Sequence, residues 1–160
     1  MRNETKSILQ RGALSVLPVT VIALISSFFT RTGDLWYQTL TKPAFTPPQW
    51  AFPVAWGIVY VCLMAALFLL LGTPGFDPMR LLVPCAAVGA LNIAWSLTFF
   101  GLHMILAAVF VLLALLVTLI YLFFAAKPVH RAVPWLLLPH ILWGIFAFAL
   151  NIGFFVLNRL

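Results

Sequence analysis

The chain has 160 residues, of which 64% are hydrophobic and only 8% charged, with a mean hydropathy of +1.14; a soluble domain carries roughly 25% charged residues. That composition excludes a soluble fold, and the continuous apolar runs exclude a transmembrane barrel, whose strands alternate over about ten residues. Nine Lys/Arg against three acids give a formal net charge of +6, but the cations flank apolar runs, where they snorkel and set topology, and no basic cluster is interleaved with aromatics, so nucleic acid is not expected as a partner.

Runs of about 20 apolar residues are long enough to span a bilayer, and they recur at residues 12–30, 50–71, 80–100, 104–126 and 134–157. The fold expected is therefore an all-α integral membrane bundle of five transmembrane helices, forming a single multi-pass domain over residues 1–160. Arg2, Lys6 and Arg11 before the first run imitate a signal peptide, but the apolar stretch is too long for a typical h-region and no A-x-A-like site follows it. Pro18 predicts a kink in span one, which neighbouring helices must re-satisfy. Cys62 and Cys85 fall inside apolar runs without any ligand spacing, as small hydrophobes do.

Between spans one and two lies the stretch around which the chain is organised, Trp36 to Tyr60, WYQTLTKPAFTPPQWAFPVAWGIVY. Pro43, Pro47 and Pro48 each fix φ and remove an N–H, which predicts a stiff, largely extended loop. Trp36, Tyr37, Phe45 and Trp50 give it flat surfaces with polar tips suited to a membrane interface. A plain connector would be Gly/Ser-rich, so this stretch reads as a lid. Pro53 sits in the first turn of span two, where a missing N–H is harmless. Thr73-Pro74-Gly75 and Asp77-Pro78 form the next loop, Gly101 to His103 a short turn, and Lys127-Pro128 the last break. Pro139 predicts a kink in span five. Five spans place the termini on opposite sides. Arg2, Lys6, Arg11, Arg80, Lys127 and Arg131 collect on the N-terminal side, against Arg31, Lys42 and Arg159 on the lid side, which favours a cytoplasmic N-terminus.

No Asp, Glu, Lys or Arg falls at mid-span, which counts against ion-coupled transport and against carboxylate acid/base catalysis. No metal cage is apparent, and no cofactor is required. What remains is organised at helical spacing: Asn92, Trp95, Ser96 and Phe99 on span three; His140, Trp143, Gly144, Ala147 and Asn151 on span five; Phe52, Trp56 and Tyr60 on span two. Polar side chains in lipid face the protein interior. The three faces are therefore expected to converge on one aromatic cavity with a few hydrogen-bonding groups, the usual make-up of a small-molecule site. Asn92 and Asn151 serve equally as glue between helices or as ligand contacts, and His140 reads as a hydrogen-bonded interior group before a metal or haem ligand. Trp56 and Trp143 are expected to face each other across the pocket in one aromatic layer. On the opposite face of span three, Ala86, Ala90 and Ala94 recur every four residues, roughly 140–200° from the polar face. That stripe is a candidate homodimer seam or a packing face within the chain.

These residues resemble those of the translocator protein family, also called TspO, tryptophan-rich sensory protein or peripheral-type benzodiazepine receptor. The resemblance covers roughly residues 30–158. It rests on Trp36-Tyr37-x-x-Leu40-x-Lys42-Pro43 with Pro47-Pro48 and Phe52-x-x-x-Trp56-x-x-x-Tyr60, on Asn92-x-x-Trp95-x-x-x-Phe99-Phe100, and on Leu138-Pro139-His140-x-x-Trp143-x-x-x-Ala147-x-x-Leu150-Asn151. The resemblance implies a five-helix bundle, often dimeric. It also implies a pocket beneath the first loop for porphyrins, isoquinoline or benzodiazepine-type drugs and, in animal members, cholesterol. Carried over residue by residue, that pocket comprises Tyr37, Pro47, Trp56, Asn92, Trp95, Trp143, Ala147 and Leu150, with His140 beside them. Some bacterial members are reported to break down protoporphyrin in light, with tryptophans matching Trp56 and Trp143. The chain departs at His140, where the family usually has Tyr, which leaves room for haem contact. It also lacks the tyrosine of the cholesterol-recognition pattern late in span five; Leu119-x-Tyr121-x5-Lys127 fits that loose pattern only at the wrong end of span four. The function expected is a membrane receptor or sensor for porphyrin, haem or other drug-like hydrophobic ligands, with slow light-dependent porphyrin breakdown as an additional activity. A transporter of such compounds and a scaffold whose cavity is only packing are the competing readings.

Overall fold

The computed structural model describes residues 2–30, 34–75 and 77–158, and the side chains of residues 2–6 and 78 are not described. Arg31 and Arg159, counted above on the lid side, lie outside the described residues, as do the side chains of Arg2 and Lys6. The elements are α1 (Arg2–Phe29), α2 (Leu35–Thr39), α3 (Ala51–Gly72), α4 (Pro78–Ser96) with a π-helical turn (Leu97–Gly101), α5 (Ile105–Ala126) and α6 (Val133–Asn158). All but α2 are long and apolar enough to cross a membrane, giving five spans, with the π turn extending the third.

The five spans close into a ring in which α1 lies against α3 and α4, α3 against α6, α6 against α5, and α5 against α4. Sequence pattern explains the packing. On α5, Leu112, Leu115, Leu119 and Leu122 recur at three and four residues and are buried, whereas Phe110, Val117, Ile120 and Phe124 point outward. An exposed apolar face of that size is the surface a bilayer solvates.

Three boundaries differ from expectation. The first helix starts at Arg2 rather than near residue 12, because hydropathy does not register a polar helical extension, while Arg, Glu, Lys and Gln are good helix formers. The third span leaves α geometry after Ser96. Thr98 Oγ1 donates to the carbonyls of Ala94 and Trp95 at 2.8 and 3.1 Å, and Leu102 N–H reaches back to the Leu97 carbonyl at 2.7 Å, the five-residue spacing of a π turn. His103, at φ 58°, closes that turn in the left-handed region that few non-glycine residues adopt.

The third difference is the lid. It is not extended throughout: Asp34 caps α2, its side chain accepting from the Leu35 N–H at 2.8 Å. Two tight turns follow, with Thr46 N–H on the Pro43 carbonyl and Ala51 N–H on the Pro48 carbonyl, both at 2.9 Å. The lid is fastened chiefly to α6. Asn158 accepts from Thr41 N–H at 2.8 Å and donates to the Thr41 carbonyl at 3.1 Å, pairing both backbone groups of one loop residue. Pro43 packs on Gly153, where an added Cβ would sit 2.6 Å from the Pro43 Cγ, so glycine is what lets the proline seat. At its other end the lid touches the α4–α5 turn, with Trp36 stacked on His103 at 4.1 Å and 13°.

Candidate functional site

Helical spacing brings the expected faces together beneath this lid. From α3, Trp56 stacks on Tyr60 (5.4 Å) and meets Trp95 of α4 at 5.7 Å, His140 of α6 at 6.0 Å and Trp143 of α6 at 6.5 Å. Trp143 also packs edge-on against Phe52 (5.8 Å) and lies 5.4 Å from Phe146. One layer nearer the lid, Trp95 lies against Phe99 and Phe100, and Tyr37 against Phe99, Phe100 and Phe154. Tyr37 is thus the lid's plug in the bundle, and burial pushes its phenol above the ordinary value, keeping it neutral and a hydrogen-bond donor at physiological pH.

The polar atoms in this layer divide into two sets. Trp95 Nε1 donates to Asn151 Oδ1 at 3.3 Å, and Asn151 Nδ2 donates to the Ala147 carbonyl at 3.0 Å. His140 Nε2 lies 3.3 Å from Asn92 Oδ1; because an amide oxygen only accepts, this contact is a hydrogen bond in the Nε2–H tautomer, in which Nδ1 is an acceptor. The second set has no partner although buried: Trp56 Nε1, Trp143 Nε1, His140 Nδ1 and Asn92 Nδ2. Buried polar groups are overwhelmingly hydrogen-bonded, and an orphaned one destabilises by about 1–3 kcal/mol. Four in one cluster call for a reason beyond packing.

A family model described as the TspO/MBR family matches residues 14–157. The chain belongs to that family. Named relatives agree. It is 34% identical over 149 residues to the tryptophan-rich protein TspO of Archaeoglobus fulgidus, covering 90% of this chain and 94% of that one. To the CrtK protein of Rhodobacter capsulatus it is 32% identical (77% and 78% covered). To the bovine translocator protein it is 31% identical (74% and 72% covered). This TspO/MBR chain is accordingly an integral multi-pass membrane protein of a family of membrane sensor and translocator proteins.

Of the expected pocket residues, Trp56, Asn92, Trp95, His140 and Trp143 form one contiguous cluster. Ala147 and Leu150 are buried on the same α6 face, and Pro47 is half-buried in the lid. Trp56 and Trp143 lie in one layer on facing helices, but their rings meet edge to face at 80° rather than across a ligand-wide gap. Close-packed interiors leave few voids, so the indoles fill the space between helices themselves. A cavity of about 270 Å³ adjoins Trp56, lined also by Gln49, Phe52, Pro53 and Tyr60 opposite Ser26 and Ser27 of α1 and Thr30 just beyond it. Two TspO/MBR site contributors were not singled out from sequence. Asn158 lies just past the expected end of span five at residue 157, and His103 read as a turn residue. Both matter because they hold the lid. The only local signal was a lone Asn one turn beyond the apolar face of α6.

Proposed function

We propose that this protein is a membrane receptor or sensor that binds a flat, hydrophobic, acceptor-bearing ligand of the tetrapyrrole class, porphyrin or haem, in the tryptophan layer beneath the first loop. The observation that carries the reading is the set of orphaned polar atoms among the rings. Two indole N–H donors, Trp56 and Trp143, and one imidazole acceptor, His140 Nδ1, are buried without partners within one aromatic cluster. A ligand with a π face for the rings and carbonyl or carboxylate edges for the donors satisfies both demands at once. Asn92 orients the imidazole, and Tyr37, Pro47, Trp95, Ala147 and Leu150 shape the enclosure. The test is a tryptophan-fluorescence titration of purified protein with protoporphyrin in the dark. Saturable quenching supports the reading, and quenching no stronger than that of free tryptophan in the same detergent overturns it.

Light-dependent breakdown forms the second part of the proposal. An excited porphyrin beside Trp56 and Trp143 can exchange an electron with an indole, or sensitise dissolved oxygen, without an acid/base dyad. Loss of porphyrin absorbance under illumination, compared with detergent alone, tests it; equal rates remove the enzymatic part and leave the receptor. We further place the N-terminus on the cytoplasmic side, on the Lys/Arg bias, and assign homodimerisation to the outer face of α4, where Ala86 and Ala90 are exposed and Ala94 is half-buried.

A further inference from the structure

An apolar cavity adjoins the aromatic layer on the side away from the lid. It lies towards the N-terminal end of the bundle, behind α1, with a volume of about 360 Å³, within the range of small-molecule sites. Its ceiling is Tyr60 and Asn92, its walls include Val19, Leu67 and Cys85, and its floor reaches Leu71. Leu14 and Pro18, on its α1 side, are exposed to the surrounding bilayer, and Ala86 borders it on the α4 face assigned to the homodimer. Directly below, sharing Leu14 and Leu71, a second cavity of about 420 Å³ is polar: Ser7, Gln10, Arg11, Gly72 and Thr73 line it. The Arg11 guanidinium hydrogen-bonds to the Ser7 carbonyl and hydroxyl at 3.3 and 3.2 Å. It sits over Gly72, where an added Cβ would lie 2.6 Å from Arg11 Nη1. Among the described residues, none of its hydrogen bonds is to a carboxylate.

We infer that these two cavities form one site for a bilayer lipid with an anionic head, its phosphate on Arg11 and one acyl chain in the chamber behind α1. Dimensions and charge carry the assignment. From Arg11 to Ile22 on α1, and from Tyr60 to Leu71 on α3, the walls run about 16 Å at 1.5 Å per residue. That is half of the roughly 30 Å hydrocarbon core, the depth of a single leaflet. The chamber is bordered on its α1 side by the exposed Leu14 and Pro18, where acyl chains are the abundant apolar solute. Its polar end carries a cation whose hydrogen bonds among the described residues run to Ser7, and Arg recognises phosphate through paired N–H donors. The site lies on the far side of the Trp56–Tyr60 stack from the lid, so it adjoins the tetrapyrrole layer only at its ceiling, Tyr60 and Asn92.

Cys85 reports on occupancy because it lines the chamber. The experiment uses delipidated full-length protein in a Cys62→Ser background and follows modification of Cys85 by N-ethylmaleimide by intact mass. Dioleoyl phosphatidylglycerol should slow the reaction about tenfold, at lower concentration than dioleoyl phosphatidylcholine, which has the same chains. Arg11→Gln should erase the difference between the two lipids while leaving dark protoporphyrin binding as in the parent. Inorganic phosphate should leave the reaction unchanged. Equal protection by both lipids in the parent, an undiminished phosphatidylglycerol preference in Arg11→Gln, or protection by phosphate alone would each overturn the assignment.

Discussion

Two identical substitutions in one layer, Trp143→Phe and Trp95→Phe, should behave oppositely. Each removes an indole N–H and the same side-chain volume, from a fully buried Trp95 and a half-buried Trp143, so the packing loss adds to the difference in the same direction as the hydrogen bond. Trp95 Nε1 has a partner, Asn151 Oδ1 at 3.3 Å on the facing helix, whereas Trp143 Nε1 is buried with none. Interhelical side-chain hydrogen bonds in membranes contribute about 0.6 kcal/mol on average and up to about 1.7 kcal/mol. At roughly 2–4 °C per kcal/mol for a chain of this size, Trp95→Phe should melt about 1–7 °C below Trp143→Phe. Binding should reverse the order. If the Trp143 N–H is reserved for ligand, losing a bond of about 0.5–1.5 kcal/mol raises the protoporphyrin Kd about two- to twelvefold, and Trp95→Phe should change it less. Circular-dichroism melts in one detergent and dark fluorescence titrations of both variants measure the two differences. Equal melting temperatures together with equal Kd values would refute the division of the cluster into structural and ligand-facing polar groups.

Asn158→Leu should free the lid by removing both bonds to Thr41, about 0.5–1.5 kcal/mol each; hydrogen exchange at Thr41 and its neighbours should accelerate about 5- to 150-fold, and unchanged protection would show the clamp to be dispensable. Pro47→Gly with Pro48→Gly should weaken porphyrin binding several-fold in a folded protein, because a loosened lid must be ordered on binding; an unchanged titration would make the loop a plain connector. Ala90→Leu should shift the detergent-solubilised particle towards monomer on analytical ultracentrifugation while binding persists, since Ala90 is exposed on α4; combined loss of folding and binding would place the stripe inside the protomer.

The parts of the fold that sequence revealed are those governed by period and length. Trp56, Trp95, His140 and Trp143 were placed on converging faces because polar and aromatic groups spaced at 3.6 residues in lipid have only the bundle interior to turn to. Features set by a single tertiary contact were not legible. The five-residue α2 is too short to show a period, and its one local signal, Asp34 as a cap, was overshadowed by the prolines that follow. The Asn158–Thr41 clamp joins residues 117 positions apart, a pairing no local pattern encodes. Nor does composition reveal that Trp56 and Trp143 touch, because indoles of the same spacing could as well stand apart. The chamber behind α1 depends on where Gly72 and Ala86 fall relative to Arg11 and Leu14, which only the helix packing fixes.

The most direct test of a ligand held by orphaned donors is the indole ¹⁵N–¹H spectrum of tryptophan-labelled protein with and without protoporphyrin in the dark. The chain has six tryptophans, and assignment by single Trp→Phe variants separates them. The account predicts that the Trp56 and Trp143 N–H resonances move furthest downfield as they gain acceptors. Trp95 should keep its bond to Asn151, and the exposed Trp135 at the start of α6 should be unaffected. Shifts confined to the exposed Trp50 and the lid residue Trp36, or no shift at Trp56 and Trp143 under saturating porphyrin, would contradict it.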